Sequence, residues 1–378
     1  MTEIRRGIPI NGTDEKTREE LQWQQMIRKM LKGDKKVDVK KIDEYLNSLL
    51  DIMKIDSNMF LFKVYAKYDE KTNTIILKGL TEHKFHKNIP EKIFQKLGFN
   101  VKNEIEILPS ENMKNKLFGI VNVSSVYVYE SPNENSEKMT QSLYGDYCFL
   151  LKELDDFYLI HTDEGYLGYI KKKFVKIVSE DFFAKYINSQ KIFLKETVKV
   201  NNMKLSSGTV LRFVNVNGNM CRVKLINDEE IEIDIEKVHI FNSTYEIRKN
   251  MLEFARKYLN VPYVWGGKSG EGIDCSGFIQ TIYRFGGINL PRDAYQQFYA
   301  GKLVATPWFT KALEIGDILY FIEPIIGKIG HIAFSEGKTS FIHADEPFVN
   351  QKSIDKEDKN YVVKRKDSFI FAKRIFVQ

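Results

Sequence analysis

The sequence predicts a multi-domain protein: an α+β N-terminal region, two small all-β barrels and a C-terminal α+β domain. Three observations carry this reading. The chain has 378 residues, more than one hydrophobic core usually organises. Its apolar periodicity changes along the sequence, from helical to alternating and then to a mixture of both. Its most glycine-rich stretch, Gly266 to Gly277, follows a long helical stripe late in the chain.

Residues 1–116 begin with Trp23, Met26, Ile27, Met30 and Leu31 at helical spacing. After a break near Gly33 the spacing returns in Ile42, Tyr45, Leu46, Leu49 and Met53, which predicts a second helix. Phe60 to Leu80 reads as a β-hairpin, and a short helix is expected near Glu91 to Leu97. His83 and His86 stand three apart without a third ligand and read as ordinary surface histidines. No chemistry is assigned to this region, whose expected job is to buttress the first barrel or narrow the groove.

Residues 117–179 carry short alternating runs broken at Ser131-Pro132-Asn133, Gly145-Asp146 and Asp163-Glu164-Gly165, the rhythm of a small β-barrel. Residues 180–242 repeat that rhythm, with turns at Ser206-Ser207-Gly208 and Asn217-Gly218. Residues 243–378 open on a capping box, Ser243 with Glu246, ahead of the stripe Ile247, Met251, Phe254, Tyr258 and Leu259. Strand-like runs at Ile318–Phe321, Ile332–Ser335 and Ser340–Ala344 make this last domain α+β.

Composition excludes several classes of function. Fifty-seven Lys and Arg against 51 Asp and Glu leave a net charge of +6, interleaved rather than gathered, which argues against a nucleic-acid partner. No apolar run reaches the ~18 residues that span a bilayer. The first twenty residues contain no apolar segment of the secretory type, so a cytoplasmic location is expected, or an extracellular one for a processed form. Cys148, Cys221 and Cys275 are an odd number at long spacings, giving neither a disulfide framework nor a CxxC metal site. At least one is a free thiol, and neither a metal nor a cofactor is expected.

The chemistry concentrates in Tyr263-Val264-Trp265-Gly266-Gly267 and Asp274-Cys275-Ser276-Gly277-Phe278. A helix starting at Cys275 would bury Phe278, Ile279, Ile282 and Tyr283 and set the thiol at its N-terminus. There the free amides favour a thiolate and can receive an oxyanion. A nucleophilic cysteine needs a base, and His331 and His343 are the histidines downstream in the same domain. Two paired strands would present them side by side, one ring contacting the thiol and the other orienting the first. Cys148 and Cys221, flanked by strand-like residues, read as buried small hydrophobes.

These segments resemble the NlpC-type cell-wall cysteine peptidases, a papain-like family. The resemblance runs through YVWGG, DCSGF, Leu290-Pro291-Arg292-Asp293-Ala294-Tyr295-Gln296-Gln297, Gly316-Asp317-Ile318-Leu319-Tyr320-Phe321, Gly330-His331-Ile332 and His343, in family order. Residues 126–175 resemble the bacterial SH3-like domain, and 180–242 a diverged second copy. The combination is similar to the γ-D-glutamyl-L-diamino-acid endopeptidases. It implies hydrolysis of the amide between D-γ-glutamate and a diamino acid in murein peptides that begin with a free L-alanine, a recycling reaction. Cys275 would be the nucleophile, His331 the base and acid, and His343 the orienter. Glu130, Tyr166 and Asp274 match positions that resemble the family's clamp for the substrate amine, and by the same resemblance Trp265 would floor the groove, Ser276 would position the glutamate unit and Arg292 would bind its α-carboxylate. Asp274 also reads as a turn residue, and Glu130 and Tyr166 as barrel positions. Ala294 lacks the hydroxyl of many relatives, and Tyr169 stands in place of the usual Trp. The competing readings are an extracellular hydrolase of intact wall, a catalytically inactive wall-binding module and an acyltransferase. The retained Cys275, His331 and His343 speak against the inactive module, and the lack of a lipid-facing segment against the acyltransferase.

Overall fold

A computed structural model describes residues 15–375 except 33, 35, 201–202, 242–246 and 326. The break expected near Gly33 and the capping box of Ser243 and Glu246 lie outside the described residues. Two units divide the chain, Met1–Glu111 and Asn112–Gln378.

In the first unit, α1 (Glu15–Met30) and α2 (Ile42–Met53) precede the hairpin β1 (Phe62–Asp69) and β2 (Thr74–Thr81). Helix α3 (Lys84–Lys96) then crosses over to β3 (Asn100–Ile107), which pairs parallel to β2. Met30, Tyr45, Leu46 and Leu49 from the helical stripes close on Ile75, Leu77, Ile93 and Phe94, so helices and sheet share one core. Helix α3 starts well before the expected Glu91 and contains Pro90. A proline inside a helix removes one backbone bond, yet Ile89, Ile93 and Phe94 are buried against the sheet, and this packing overrides the local penalty. His83 and His86 stack edge to face at 5.3 Å, and burial lowers the His86 pKa.

The second unit opens with β4 (Phe118–Val121), β5 (Ser125–Tyr129), β6 (Lys138–Leu143), β7 (Tyr147–Leu154), β8 (Phe157–Thr162), β9 (Leu167–Lys171) and β10 (Val175–Val178). They form one seven-stranded sheet in the order β10-β4-β7-β8-β9-β5-β6. The sheet wraps a core of Val121, Val128, Cys148, Leu150, Ile160 and Ile170. Where a closed barrel was expected, the strand order ends at β10 and β6, and the link from β9 to β5 is the single pair Tyr129↔Tyr169.

Helix α4 (Glu180–Asn188), capped by Ser179, leads into β11 (Lys191–Leu194), the short pair β12 (Val198–Val200) and β13 (Met203–Leu205), then β14 (Val210–Asn217), β15 (Met220–Lys224), β16 (Glu230–Asp234) and β17 (Val238–Ile240). The main sheet here is five-stranded, ordered β16-β15-β14-β11-β17, and is likewise open. Its core takes in Ile120 and Tyr144 from the preceding sheet, and the Ile226 amide donates to the Tyr144 hydroxyl at 3.1 Å.

The C-terminal part contains α5 (Ile247–Arg256), the short pair β18 (Lys268–Ser269) and β19 (Gly272–Ile273), α6 (Cys275–Phe285) and α7 (Ala294–Gln297). It ends with β20 (Lys302–Ala305), β21 (Ile315–Glu323), β22 (Lys328–Gly337), β23 (Ser340–Asp345), β24 (Phe348–Ser353), α8 (Val363–Ser368) and β25 (Phe369–Arg374). Six strands form an antiparallel sheet ordered β20-β25-β21-β22-β23-β24. Phe278, Ile279, Ile282 and Tyr283 of α6 pack with Met251 and Phe254 of α5 on Ile318, Tyr320, Ile332 and Ile342. That packing fixes the start of α6 beside the middle of β22 and β23.

Candidate active site

Asp274 caps α6. Its Oδ1 accepts from the Gly277 amide at 2.7 Å and its Oδ2 from the Gly266 amide at 2.8 Å, so one carboxylate ties the glycine loop to the helix start. Gly277 is required by space, since a Cβ there would lie 2.2 Å from the Gly267 carbonyl oxygen. Gly266 has φ +78°, and a Cβ on it would stand 3.0 Å from the Lys138 carbonyl of β6.

Cys275 is the first residue of α6 and is 8% exposed. The amides of Ser276 and Ile332 donate towards its sulfur. Burial, and then the Asp274 carboxylate, push its pKa up to about 12 against the opposing pull of Arg292 and those amides. The sequence alone suggests a thiolate at a helix N-terminus. In the fold, desolvation and the capping carboxylate outweigh Arg292 and the two amides, so the resting thiol keeps its proton and needs a base.

Ile332, whose amide meets the sulfur, follows His331 on β22. His331 Nε2 lies 2.7 Å from His343 Nδ1, and His343 Nε2 lies 3.0 Å from Asn350 Oδ1. Burial depresses the His331 pKa well below its ordinary 6.5, with the His343, Arg365 and Lys364 charges adding to the effect. Burial likewise lowers His343 to about 4, helped by Arg365 and opposed by Asp345 and the Asn350 hydrogen bond. Both rings are neutral at neutral pH, as a base and its orienter require. Asn350 is absent from the sequence reading because β24 was not anticipated; the signal was the Glu346-Pro347 turn, which places 343 and 350 at equal distances on either side.

Among the described residues, His331, His343 and Asp345 form a group with ligand atoms within 4.8 Å of one another, the proximity that a metal site needs. In the fold the two imidazoles bond to each other, and Asp345 Oδ2 accepts from Arg365 Nη2 at 2.5 Å.

The expected substrate residues fall into two groups. Asp274, Ser276 and Arg292 are buried together: Arg292 Nη1 donates to Asp274 Oδ1 at 3.1 Å and to Ser276 Oγ at 2.6 Å, Nη2 to Asp274 Oδ2 at 2.5 Å, and Nε to Thr140 Oγ1 of β6 at 3.0 Å. Arg292 is 2% exposed, with its fork turned onto Asp274. Tyr166, also buried, donates its hydroxyl to Asp293 Oδ2 at 3.0 Å. Trp265 is 58% exposed beside Gly266, and Glu130 is exposed at the end of β5, outside the buried group.

Several partners were not anticipated. Thr140 Oγ1 donates to Glu164 Oε1 at 3.1 Å, and Glu164 Oε2 accepts from Lys268 Nζ at 2.7 Å. Both members of this ion pair are buried, with side chains 6% and 8% exposed. Lys268 also donates its amide to Gln141 Oε1 at 2.9 Å. A continuous polar chain thus runs from the cap of the cysteine helix through Arg292 and Thr140 to Glu164 and Lys268.

Residues 260–368 match the model of the NlpC/P60 family. Among curated proteins, the chain is 26% identical over 231 residues to a Gamma-D-glutamyl-L-lysine dipeptidyl-peptidase of Bacillus cereus, covering 56% of this chain and 68% of that one. It is 27% identical over 255 residues to Dipeptidyl-peptidase 6 of Lysinibacillus sphaericus, covering 62% and 90%. Among solved structures, an NlpC/P60 family protein from Bacillus cereus aligns with a TM-score of 0.58 at 20% identity, over 68% of this chain and 99% of that one, a likeness of fold. Family motif, fold and a buried thiol beside a histidine strand agree: the chain carries an NlpC/P60 domain in its C-terminal part, and the enzyme is a cysteine peptidase.

Proposed function

We propose that this peptidase hydrolyses the γ-D-glutamyl–diamino-acid amide of murein peptides bearing a free N-terminal L-alanine, a step in recycling wall fragments. The observation that carries the reading is the thiol of Cys275 at the head of α6, beside the His331–His343 relay. The names of the curated relatives, a γ-D-glutamyl-L-lysine dipeptidyl-peptidase and a dipeptidyl-peptidase, support the substrate class.

In this reading His331 takes the proton of Cys275, and the sulfur attacks the γ-carbonyl carbon. The oxyanion meets amides at the start of α6. His331 then returns the proton to the leaving amine, and water hydrolyses the thioester with His331 again as base. His343 keeps the His331 ring in place. The C-terminal part is read as papain-like. The sheets within 117–179 and 180–242 are read as SH3-like, supported by the sequence motif of the first and the matching turns of the second. With Asp274 engaged by Arg292, these two serve to fix the loop and Ser276 beneath the glutamate unit, and the amine is read as meeting Glu130 and Tyr166, the latter tied to Asp293. Trp265 is read as the groove floor.

The test is mass spectrometry of products from L-Ala-γ-D-Glu-L-Lys, its diaminopimelate counterpart, their N-acetylated forms and intact sacculi. The free-amine peptides should release L-Ala-γ-D-Glu, with kcat/KM about 100-fold above the acetylated forms, the equivalent of ~3 kcal/mol of lost transition-state binding. Equal rates on both forms, or faster cleavage of sacculi, would favour the wall hydrolase instead. A cytoplasmic place for the reaction belongs to the recycling reading and is checked by cell fractionation.

A further inference from the structure

We infer that Asn350 is a positioning residue of this site: its side-chain amide fixes the protons on both imidazoles and leaves His331 Nδ1 as the bare nitrogen that receives the thiol proton. The inference rests on the reading of Cys275 and His331 as nucleophile and base.

Asn350 stands directly opposite His343 in the β23–β24 ladder, so the two side chains share a face of the sheet. Asn350 Nδ2 donates to the Phe348 carbonyl at 2.8 Å, which turns Oδ1 towards His343 Nε2 at 3.0 Å. An amide oxygen only accepts, so His343 Nε2 must carry hydrogen. Because burial keeps both rings neutral, each has one N–H. His343 Nδ1 is therefore an acceptor, and His331 Nε2, at 2.7 Å, is the donor to it. The one hydrogen on His331 then sits at Nε2, and Nδ1 is bare. Turning the amide over would reverse each step and place a hydrogen on His331 Nδ1, where a base is needed.

The charged and titratable groups facing the pair do not compete for this role. Asp345 Oδ2 is 4.0 Å from His343 Nδ1 and is engaged by Arg365. Arg365 and Lys364 of α8 and Lys352 of β24 act on the rings as positive charges, which favour their neutral forms. Tyr263 feels Cys275, Asp274, Asp345 and Glu346 and is kept protonated chiefly by burial. In the proton transfer the S–H bond of Cys275 breaks, its electron pair stays on sulfur, and an N–H bond forms at His331 Nδ1. The Nε2–H bond to His343 strengthens as the ring becomes cationic, and the Asn350 oxygen anchors the far end.

The test uses the full chain as wild type, Asn350→Ala and Asn350→Asp, with three readouts. These are ¹⁵N NMR of the histidine rings (assigned with His331→Gln and His343→Gln), the pH dependence of Cys275 alkylation by iodoacetamide, and kcat and KM on L-Ala-γ-D-Glu-L-Lys. In the wild type both rings should be protonated at Nε2. Asn350→Ala should mix the tautomers, slow alkylation and lower kcat by about 10- to 100-fold, the usual range for a group acting through a ligand or base, with KM unchanged. Asn350→Asp, which still accepts from Nε2, should keep the tautomer and most of kcat while moving the acid limb of the rate profile upward, since a carboxylate favours imidazolium. A wild-type His331 protonated at Nδ1, or Asn350→Ala with wild-type ring signals and kcat, overturns the inference. If Asn350→Ala fails to fold by circular dichroism, the wild-type spectrum and Asn350→Asp decide it. Full turnover by Cys275→Ala would instead remove the nucleophile reading and leave the tautomer result standing.

Discussion

One sulfur at the head of α6 experiences opposed influences, and their balance sets the chemistry. Burial and Asp274 favour the thiol of Cys275, while the amides of Ser276 and Ile332 and the Arg292 charge favour the thiolate. In the proposed reaction a protonated nucleophile beside a neutral base makes proton transfer part of the chemistry, so Cys275→Ala should abolish turnover and Cys275→Ser should lower kcat by about 10³-fold or more. Cys148 and Cys221 are buried, and burial raises both pKa values, so neither is a competing thiolate. Cys148→Ser and Cys221→Ser should keep substantial activity, and iodoacetamide should inactivate the enzyme through Cys275. Peptide mapping that found Cys148 labelled first, with activity lost and Cys275 free, would contradict the assignment. The histidine pair adds a pH prediction. Burial holds both pKa values below 6.5 in the fold, that of His331 well below, so the base stays unprotonated down to that pH and the acid fall of kcat/KM should lie below 6.5. The same shift acts on stability. The unfolded histidines take up protons first, so this contribution is fully present above about 6.5 and is lost as the pH falls towards 4. An acid limb centred above 6.5 would show that some other group is the base.

At the scale of elements, the helix that carries the thiol was legible before the sheet that carries the base was complete. The Asp-Cys-Ser-Gly-Phe run gave the start of α6, because capping and an apolar stripe are local signals. The strands of His331 and His343 were legible as apolar runs, and pairing between β22 and β23 follows from their closeness in sequence. Strands β20, β24 and β25 were not. The first is mostly exposed, the second begins with exposed Phe348, and the third follows the short α8, so their identity comes from sheet partners distant in the chain. Asn350 and Glu164 were hidden for the same reason, since each gains meaning from a neighbour across a ladder or an interface. Arg292 was found, but its partner was not: the fork meets the Asp274 cap, while its Nε donates to Thr140 of β6. The close approach of α6 to the glycine loop supplies an element-level test. Gly277→Ala would place a methyl 2.2 Å from the Gly267 carbonyl, with backbone on one side and the cap on the other, so the helix start must shift. A shift near 1 Å at the nucleophile costs about 100-fold in rate, so kcat should fall by roughly that factor while far-UV circular dichroism stays unchanged. Wild-type kcat in Gly277→Ala would mean that the loop yields and the spacing is not critical.

Across the whole second unit, the first sheet is joined to the peptidase part by buried polar contacts rather than by a greasy face alone. Thr140 meets Arg292, Gln141 and Glu164 meet Lys268, Asp146 meets Arg284 at 2.6 Å, and Tyr166 meets Asp293. Three of these contacts end on residues that hold, or lie next to, the glycine loop and the cysteine cap, so the sheet takes part in forming the candidate active site. The Glu164–Lys268 pair is an ion pair with both partners buried and permits a decisive test. Two desolvated charges at 2.7 Å attract strongly but have each given up water, so the pair adds little net stability, while removing one partner strands the other. Glu164→Gln should therefore cost about 3 kcal/mol in the urea unfolding of this unit, since Lys268 is left charged and buried. It should also lower kcat/KM, because the single carbonyl oxygen of Gln cannot replace both carboxylate oxygens that now accept from Thr140 and Lys268, and the support of Arg292 and Asp274 loosens. The double variant Glu164→Gln/Lys268→Met removes both charges and should recover most of the stability, because no buried charge then lacks a partner. If the single variant unfolds within about 0.5 kcal/mol of wild type, the pair behaves as an exposed one, and the coupling of the sheet to the active site must run through Thr140 and Tyr166 instead.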